Sequence, residues 1–195
     1  MTAVLGSDGR ARCPWATGDL YAAYHDDEWG VPLHGDRALY EKLTLEGFQS
    51  GLSWLIILRK RPAFRAAFAG FEPEAVAAFG AEDVERLLGD AGIVRNRQKI
   101  EAAVDNARAV AALRERDGEG ALDALVWSFA DAARAEHVRP ADLGDVPAST
   151  STSKALAKAL KREGLRFVGP TTVYALMQSA GLVDDHVDGC WRARD

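Results

Sequence analysis

The stretch Ile100–Ala111, IEAAVDNARAVA, decides the fold class. Its apolar residues Ile100, Ala103, Val104, Ala107, Val110 and Ala111 return at three- and four-residue intervals, which places them on one face of an α-helix. Helical spacing runs through almost the whole chain and no stretch alternates long enough for a strand, so the expected fold is all-α. Start signals punctuate it: Asp19 before LYAAYHDDEW, Asp36 before RALYEKLTLEGF, and the Ser149–Ser153 run before KALAKALKR. Pro62 and Pro73 are expected in first turns, and Gly92, Gly118, Gly164 and Gly181 at helix ends. About eight to ten short helices follow from these signals. A weak boundary lies around Arg139–Pro147, where two prolines and the acids Asp142 and Asp145 thin the apolar pattern.

With 195 residues, 48% of them hydrophobic, the chain can bury the core of one domain. Residues 13–191 are expected to form it, as one body or two closely packed lobes, with 1–12 and 192–195 as flexible ends. No apolar run approaches the roughly 20 residues of a membrane span, and Met1–Arg12 lacks the apolar stretch of a signal peptide. A soluble, cytoplasmic monomer is expected, with no membrane partner. Two cysteines are too few for a disulfide scaffold and fit a reducing compartment. The net charge of −5 excludes a general basic coat, yet Ser151–Pro170 carries Lys154, Lys158, Lys161, Arg162 and Arg166 against Glu163 alone. Such a face is either solvated or a nucleic-acid contact.

Cys13, His25, His186 and Cys190 make a donor set suited to zinc, with His186 and Cys190 at i and i+4, a spacing that shares one face of a helical turn. Four protein ligands leave no open coordination position, so such a site would be structural, stapling the N-terminal segment to the C-terminal one. A Cys13–Cys190 disulfide, or unremarkable thiols beside surface histidines, are the alternatives. His34 and His137 lack comparable partners and are expected to face solvent.

The segments YAAYHDDEWGVP (Tyr21–Pro32), LEGFQSGLSW (Leu45–Trp54) and FVGPTTVYALMQSAGLVDDHVDGC (Phe167–Cys190) resemble the 3-methyladenine DNA glycosylase I family, and the similarity extends from Cys13 to Cys190. The resemblance implies a helix-hairpin-helix DNA glycosylase fold, Cys13, His25, His186 and Cys190 as ligands of a structural Zn2+, and alkylated double-stranded DNA as the partner. The implied activity is base excision repair by an N-glycosyl hydrolase that removes 3-methyladenine and leaves an abasic site.

That chemistry needs a flipped base held between aromatic faces. Tyr21 and Tyr24 lie three apart on one helix and Trp54 follows a GLS turn; the resemblance implies these as pocket walls, with Trp15 and Trp29 as further candidates. Glu46 is a carboxylate in an apolar run, and in the resembled family this position is a pocket acid. Alkylation at a ring nitrogen makes the base cationic, so an anion between aromatic walls would select it over normal purines. Asp184, in VDDHV, matches the aspartate that related glycosylases place against the sugar; otherwise it caps a turn or orients His186. Where bifunctional relatives carry an attacking lysine this chain has Val173, which predicts no lyase activity. Four cysteines would be needed for an iron–sulfur cluster, and no nucleotide cofactor is implied.

For DNA, the hairpin Phe167–Thr172 offers the amides around Gly169 and Thr171 to a phosphate. Lys154, Lys158, Lys161 and Arg166 are candidate backbone contacts, and Leu52 a wedge for the gap left by the flipped base. The competing reading is a noncatalytic, zinc-stabilised DNA-binding module, which would have no use for Glu46 beside Tyr21, Tyr24 and Trp54. A zinc hydrolase of small molecules would need the open coordination position that four ligands deny.

Overall fold

The first residues, Val4–Leu5 (β1) and Ala11–Arg12 (β2), pair as a small antiparallel hairpin. Ten α-helices follow in the computed structural model, which describes residues 1–194: α1 Gly18–Asp27, α2 Asp36–Gln49, α3 Trp54–Ala67, α4 Pro73–Ala77 and α5 Ala81–Gly89, then α6 Arg97–Asp117, α7 Ala121–Trp127, α8 Ala130–Glu136, α9 Ser151–Arg162 and α10 Pro170–Ser179. No helix among the described residues is long and apolar enough to cross a membrane.

Helix α6 is the central strut, as its apolar period predicts. Ile100, Ala103, Val104, Ala107 and Val110 are fully or nearly fully buried in the principal core, against Tyr40 and Phe48 of α2 and Phe64 of α3. Asn96 caps α6 by accepting from the Lys99 amide at 3.1 Å, and the chain leaves it at Gly118, φ 96°. Thr150 caps α9 by accepting from the Ser153 amide at 3.1 Å, and the Glu136 carboxylate accepts from the Ser151 and Thr152 amides at 2.9 Å each. An anion at that helix start offsets its exposed N–H groups.

Three expected starts differ. Asp19 lies inside the first turn of α1, after Thr17. Asp36 begins α2 but serves α7, accepting from the Gly120 and Asp123 amides at 3.0 and 2.9 Å, and pairs with Arg114 at 3.1 Å. Pro62 sits well inside α3, which begins after Ser53; its missing N–H leaves the Leu58 carbonyl without a helical partner. Pro73 does open α4.

A second, smaller cluster gathers Cys13, Tyr24, Trp29, Leu58, Val187 and Cys190, so the two ends of the chain pack on α1 and α3. Arg12 forks onto Asp26 at 2.6 and 2.9 Å, tying the β-hairpin to α1. Gly30 and Gly181 hold the loops here in close approach. A Cβ on Gly30, φ 76°, would stand 3.1 Å from His186 Nε2, and one on Gly181, φ 78°, would stand 2.8 Å from the backbone of Val31.

Candidate active site and metal cluster

Helices α1, α2 and α3 deliver an aromatic-walled pocket of about 500 Å³. Tyr21, Tyr24, Trp15, Trp29 and Trp54 all line it, so the five aromatic residues singled out in the sequence converge. Tyr24 and Trp54 lie 5.6 Å apart between ring centroids, and Trp15 packs edge-on to Trp29 at 5.1 Å and to Tyr21 at 5.7 Å. The Tyr21 hydroxyl accepts from the Leu55 amide at 2.8 Å, which fixes the start of α3 relative to α1. Trp54 Nε1 is buried and has no partner among the described residues.

Glu46 comes up from α2 into the same pocket, only 6% exposed, and accepts a hydrogen bond from Ser179 Oγ at 3.2 Å. Burial pushes its carboxyl up to about 7, with Lys42 and Ser179 pulling the other way. Burial, reinforced by Glu46, likewise holds the Tyr24 phenol well above its ordinary range.

Of the two adjacent aspartates, the pocket receives Asp185 and not Asp184. Asp184 turns outward, accepting from the backbone amides of His186 at 3.3 Å and Arg194 at 2.8 Å, the turn-capping role. Asp185 is 2% exposed and is held by Tyr174 Oη at 2.7 Å, Gln178 Nε2 at 2.7 Å and His137 Nε2 at 2.8 Å. His137 is therefore a partner of a pocket carboxylate and not a solvent-facing residue. Gln49 and Gln178 add polar lining that the sequence does not mark out.

Beside the pocket lies a buried cluster of Cys13, His25, His186 and Cys190, whose donor atoms all lie within 4.8 Å of one another. The sulfur of Cys190 stands 3.3 Å from His25 Nε2 and 3.6 Å from His186 Nδ1, and the sulfur of Cys13 stands 3.6 Å from His186 Nδ1. A tetrahedral ion bound at ordinary metal–sulfur and metal–nitrogen lengths needs edges of about 3.5 Å, so the donors are spaced to hold a metal ion. The other nitrogen of His25 meets Asp26 at 2.8 Å, the carboxylate support typical of ligating imidazoles. Cys13 and the two imidazoles draw the Cys190 thiol far below its usual range, while Cys190 and burial push Cys13 far above. A cation among them would favour both as thiolates. Both cysteines are free thiols, and His186 and Cys190 lie on irregular backbone instead of a helical turn.

The segment between α9 and α10 forms a hairpin whose unusual backbone falls at Gly164, φ 90°, and Phe167, φ 56°. Gly169 precedes α10 in ordinary extended conformation, φ −68°, with open space where a side chain would project. Lys154, Lys158, Lys161 and Thr171 are exposed there, whereas Arg166 is paired with Asp105 at 2.5 Å. Val173 is fully buried. Leu52 is half-buried in the turn between Gln49 and Trp54.

Comparison with known proteins places this architecture. The DNA-3-methyladenine glycosylase 1 of Escherichia coli (strain K12) is 51% identical over 180 residues, covering 92% of this chain and 95% of that protein. A crystal structure of a 3-methyladenine DNA glycosylase I superposes with a TM-score of 0.87 at 50% identity, covering 94% of this chain and all of the other. A second, of a tyrosine-to-phenylalanine variant of a 3-methyladenine DNA glycosylase I in complex with 3-methyladenine, gives 0.85 at 35% identity, covering 94% of this chain and 98% of the other. The family model described as methyladenine glycosylase matches residues 15–193, and the chain belongs to that family.

Proposed function

We infer that this chain is a DNA glycosylase that hydrolyses the N-glycosidic bond of 3-methyladenine in alkylated DNA. The observation that carries this reading is the buried Glu46 carboxylate inside a five-ring aromatic pocket with room for a purine. The rings sandwich the flipped base, and an ionised Glu46 attracts the positive charge that methylation places on it. A normal neutral purine gains neither the charge attraction nor relief of the buried carboxylate.

The cationic base is a good leaving group and departs with the electron pair of the glycosidic bond, becoming neutral. Water supplies its oxygen to the sugar C1′ and gives up a proton, leaving an abasic site and an intact strand. Asp185 takes the role first assigned to Asp184: its carboxylate lines the pocket and steadies the positive charge that develops on the sugar. No amine stands at Val173 to attack the sugar, so the activity is hydrolysis without strand cleavage.

Cys13, His25, His186 and Cys190 hold Zn2+ as a structural ion, a cross-link that takes no part in the reaction. The α9–α10 helix-hairpin-helix grips the DNA backbone, with the amides at the start of α10 and the exposed Lys154, Lys158 and Lys161 facing phosphate. Leu52 fills the place of the extruded base. The enzyme works as a cytoplasmic monomer of one glycosylase domain.

Single-turnover release of free 3-methyladenine from methylated duplex DNA tests the reading. Wild type should release base and leave strands intact; tight binding to intact and methylated DNA alike, with no release, would instead establish a noncatalytic binding module.

A further inference from the structure

Behind the pocket wall lies a charge that the excision chemistry leaves unused. Lys42, one turn before Glu46 on α2, is only 8% exposed. Its ammonium stands 4.9 Å from the ring centroid of Tyr24 and 5.6 Å from that of Trp54, and donates to the Tyr24 hydroxyl at 3.4 Å. Tyr24 and Trp54 line the pocket but Lys42 does not; with Ser179 it lines a separate cleft of about 200 Å³.

Most charges packed around it are settled in pairs; Asp27, exposed where it lines the same cleft, makes no ion pair among the described residues. From the end of α1 and from α3, the C-cap residue Glu28 and Arg61 form a bidentate ion pair at 2.5 and 2.7 Å. From α2 and α3, Glu41 and Arg65 pair at 2.8 Å. The α10 element contributes only the neutral Ser179, and Asp185 across the pocket is bound by Tyr174, Gln178 and His137. Among the buried residues of this group, Lys42 is the cation without a carboxylate in contact and Glu46 the carboxylate without a cation in contact.

The geometry points to Lys42 as a positioning residue for base selection: held behind the Tyr24 and Trp54 rings, it balances Glu46 across the wall and favours the anionic form of that carboxylate while the pocket is empty. The role rests on the reading of the pocket as the seat of a cationic base. On arrival, the base takes over as the near partner of Glu46, and Lys42, reached from its own cleft, stays on the far face of the same rings. Burial pulls the Lys42 ammonium down from its ordinary range while Glu46 and Glu28 push it back up, and Lys42 in turn lowers Glu46. An apolar side chain at position 42 would leave Glu46 uncompensated, so it would hold its proton to higher pH.

The test is the titration of Glu46 in zinc-loaded protein carrying 13C-carboxyl glutamate, with Glu46→Gln assigning the resonance, compared between wild type, Lys42→Met and Lys42→Arg. In parallel, single-turnover release of 3-methyladenine from methylated duplex DNA is followed from about pH 5 to about pH 9. The expected result is a Glu46 midpoint raised by about one pH unit in Lys42→Met, with the rate near neutral pH down roughly five- to tenfold and recovered at higher pH, and a near wild-type midpoint in Lys42→Arg. If Lys42→Met does not fold, Lys42→Gln reads the same midpoint. An unmoved midpoint in a folded neutral variant overturns the proposal and leaves Lys42 a packing residue. Absence of base release from wild type at every pH would defeat the reading of the pocket instead, and the carboxyl titration would still decide the part played by Lys42.

Discussion

Trp29 stands edge-on to His186, with 4.6 Å between ring centroids and an interplanar angle of 87°, so one indole belongs both to the pocket wall and to the surroundings of the Cys/His cluster. Trp15 repeats the arrangement against His25 at 5.2 Å. Removing the metal or replacing Cys13 by Ser is therefore expected to act on the pocket as well as on stability. Loss of several kcal/mol of folding free energy should accompany at least a tenfold weaker binding of 3-methyladenine. Metal analysis, thermal melts and tryptophan fluorescence check this together; a melt indifferent to chelator would show that the four donors hold no ion.

Glu46 places stability and function in opposition. Its carboxyl titrates near 7 in the folded protein against 4.5 ordinarily, because burial favours the neutral form. A group raised in this way contributes stability that is complete below about 4.5 and is lost as pH rises through about 7. Glu46→Gln should thus be more stable than wild type at pH 8, by up to about 3 kcal/mol, and nearly equal at pH 4.5. Urea unfolding at the two pH values measures it, while base release should fall by about 100-fold or more in the variant.

Asp185→Asn is expected to cost about 1–3 kcal/mol, since its amide would turn a donor toward Tyr174, Gln178 and His137, and to slow excision about 100-fold. Asp184→Asn, at a half-buried turn outside the pocket, should stay within a few-fold of wild type. Equal losses in both variants would return Asp184 to the reaction.

Exposed Lys154, Lys158 and Lys161 should each reduce the salt dependence of DNA binding by about one unit of slope when changed to Ala. Arg166→Ala should have a smaller effect, because that guanidinium is already engaged by Asp105. Affinities measured across a salt series distinguish the two.

Elements whose shape follows from local physics were legible in the sequence. The apolar period of α6, the start of α9 within the Ser149–Ser153 run and the Pro73 start of α4 all follow from neighbours a few residues away. The convergence of Tyr21, Tyr24, Trp54 and Glu46, and of four donors from both ends of the chain, came from the family resemblance, because no local pattern brings residues 13 and 190 together. Where sequence reading failed, long-range contacts decided the outcome. Asp184 and Asp185 are chemically identical neighbours on irregular backbone, and only the reach of His137, Tyr174 and Gln178 turns the second one inward. The i, i+4 spacing of Lys42 and Glu46 was the signal that could have exposed Lys42, since it places a lysine on the face that buries the glutamate.

The cluster joining Cys13 and His25 to His186 and Cys190 also sets an order of events. The aromatic residues of α1 are among the earliest parts of the pocket to be synthesised, yet the imidazole that braces Trp29 and the sulfur that completes the donor set come from residues 186–190. Contacts of such sequence separation close late, after the entropy of the long intervening loop has been overcome. A ribosome-bound fragment lacking those residues would carry the aromatic rings without their brace, so the pocket wall is supported only once synthesis has passed residues 186–190.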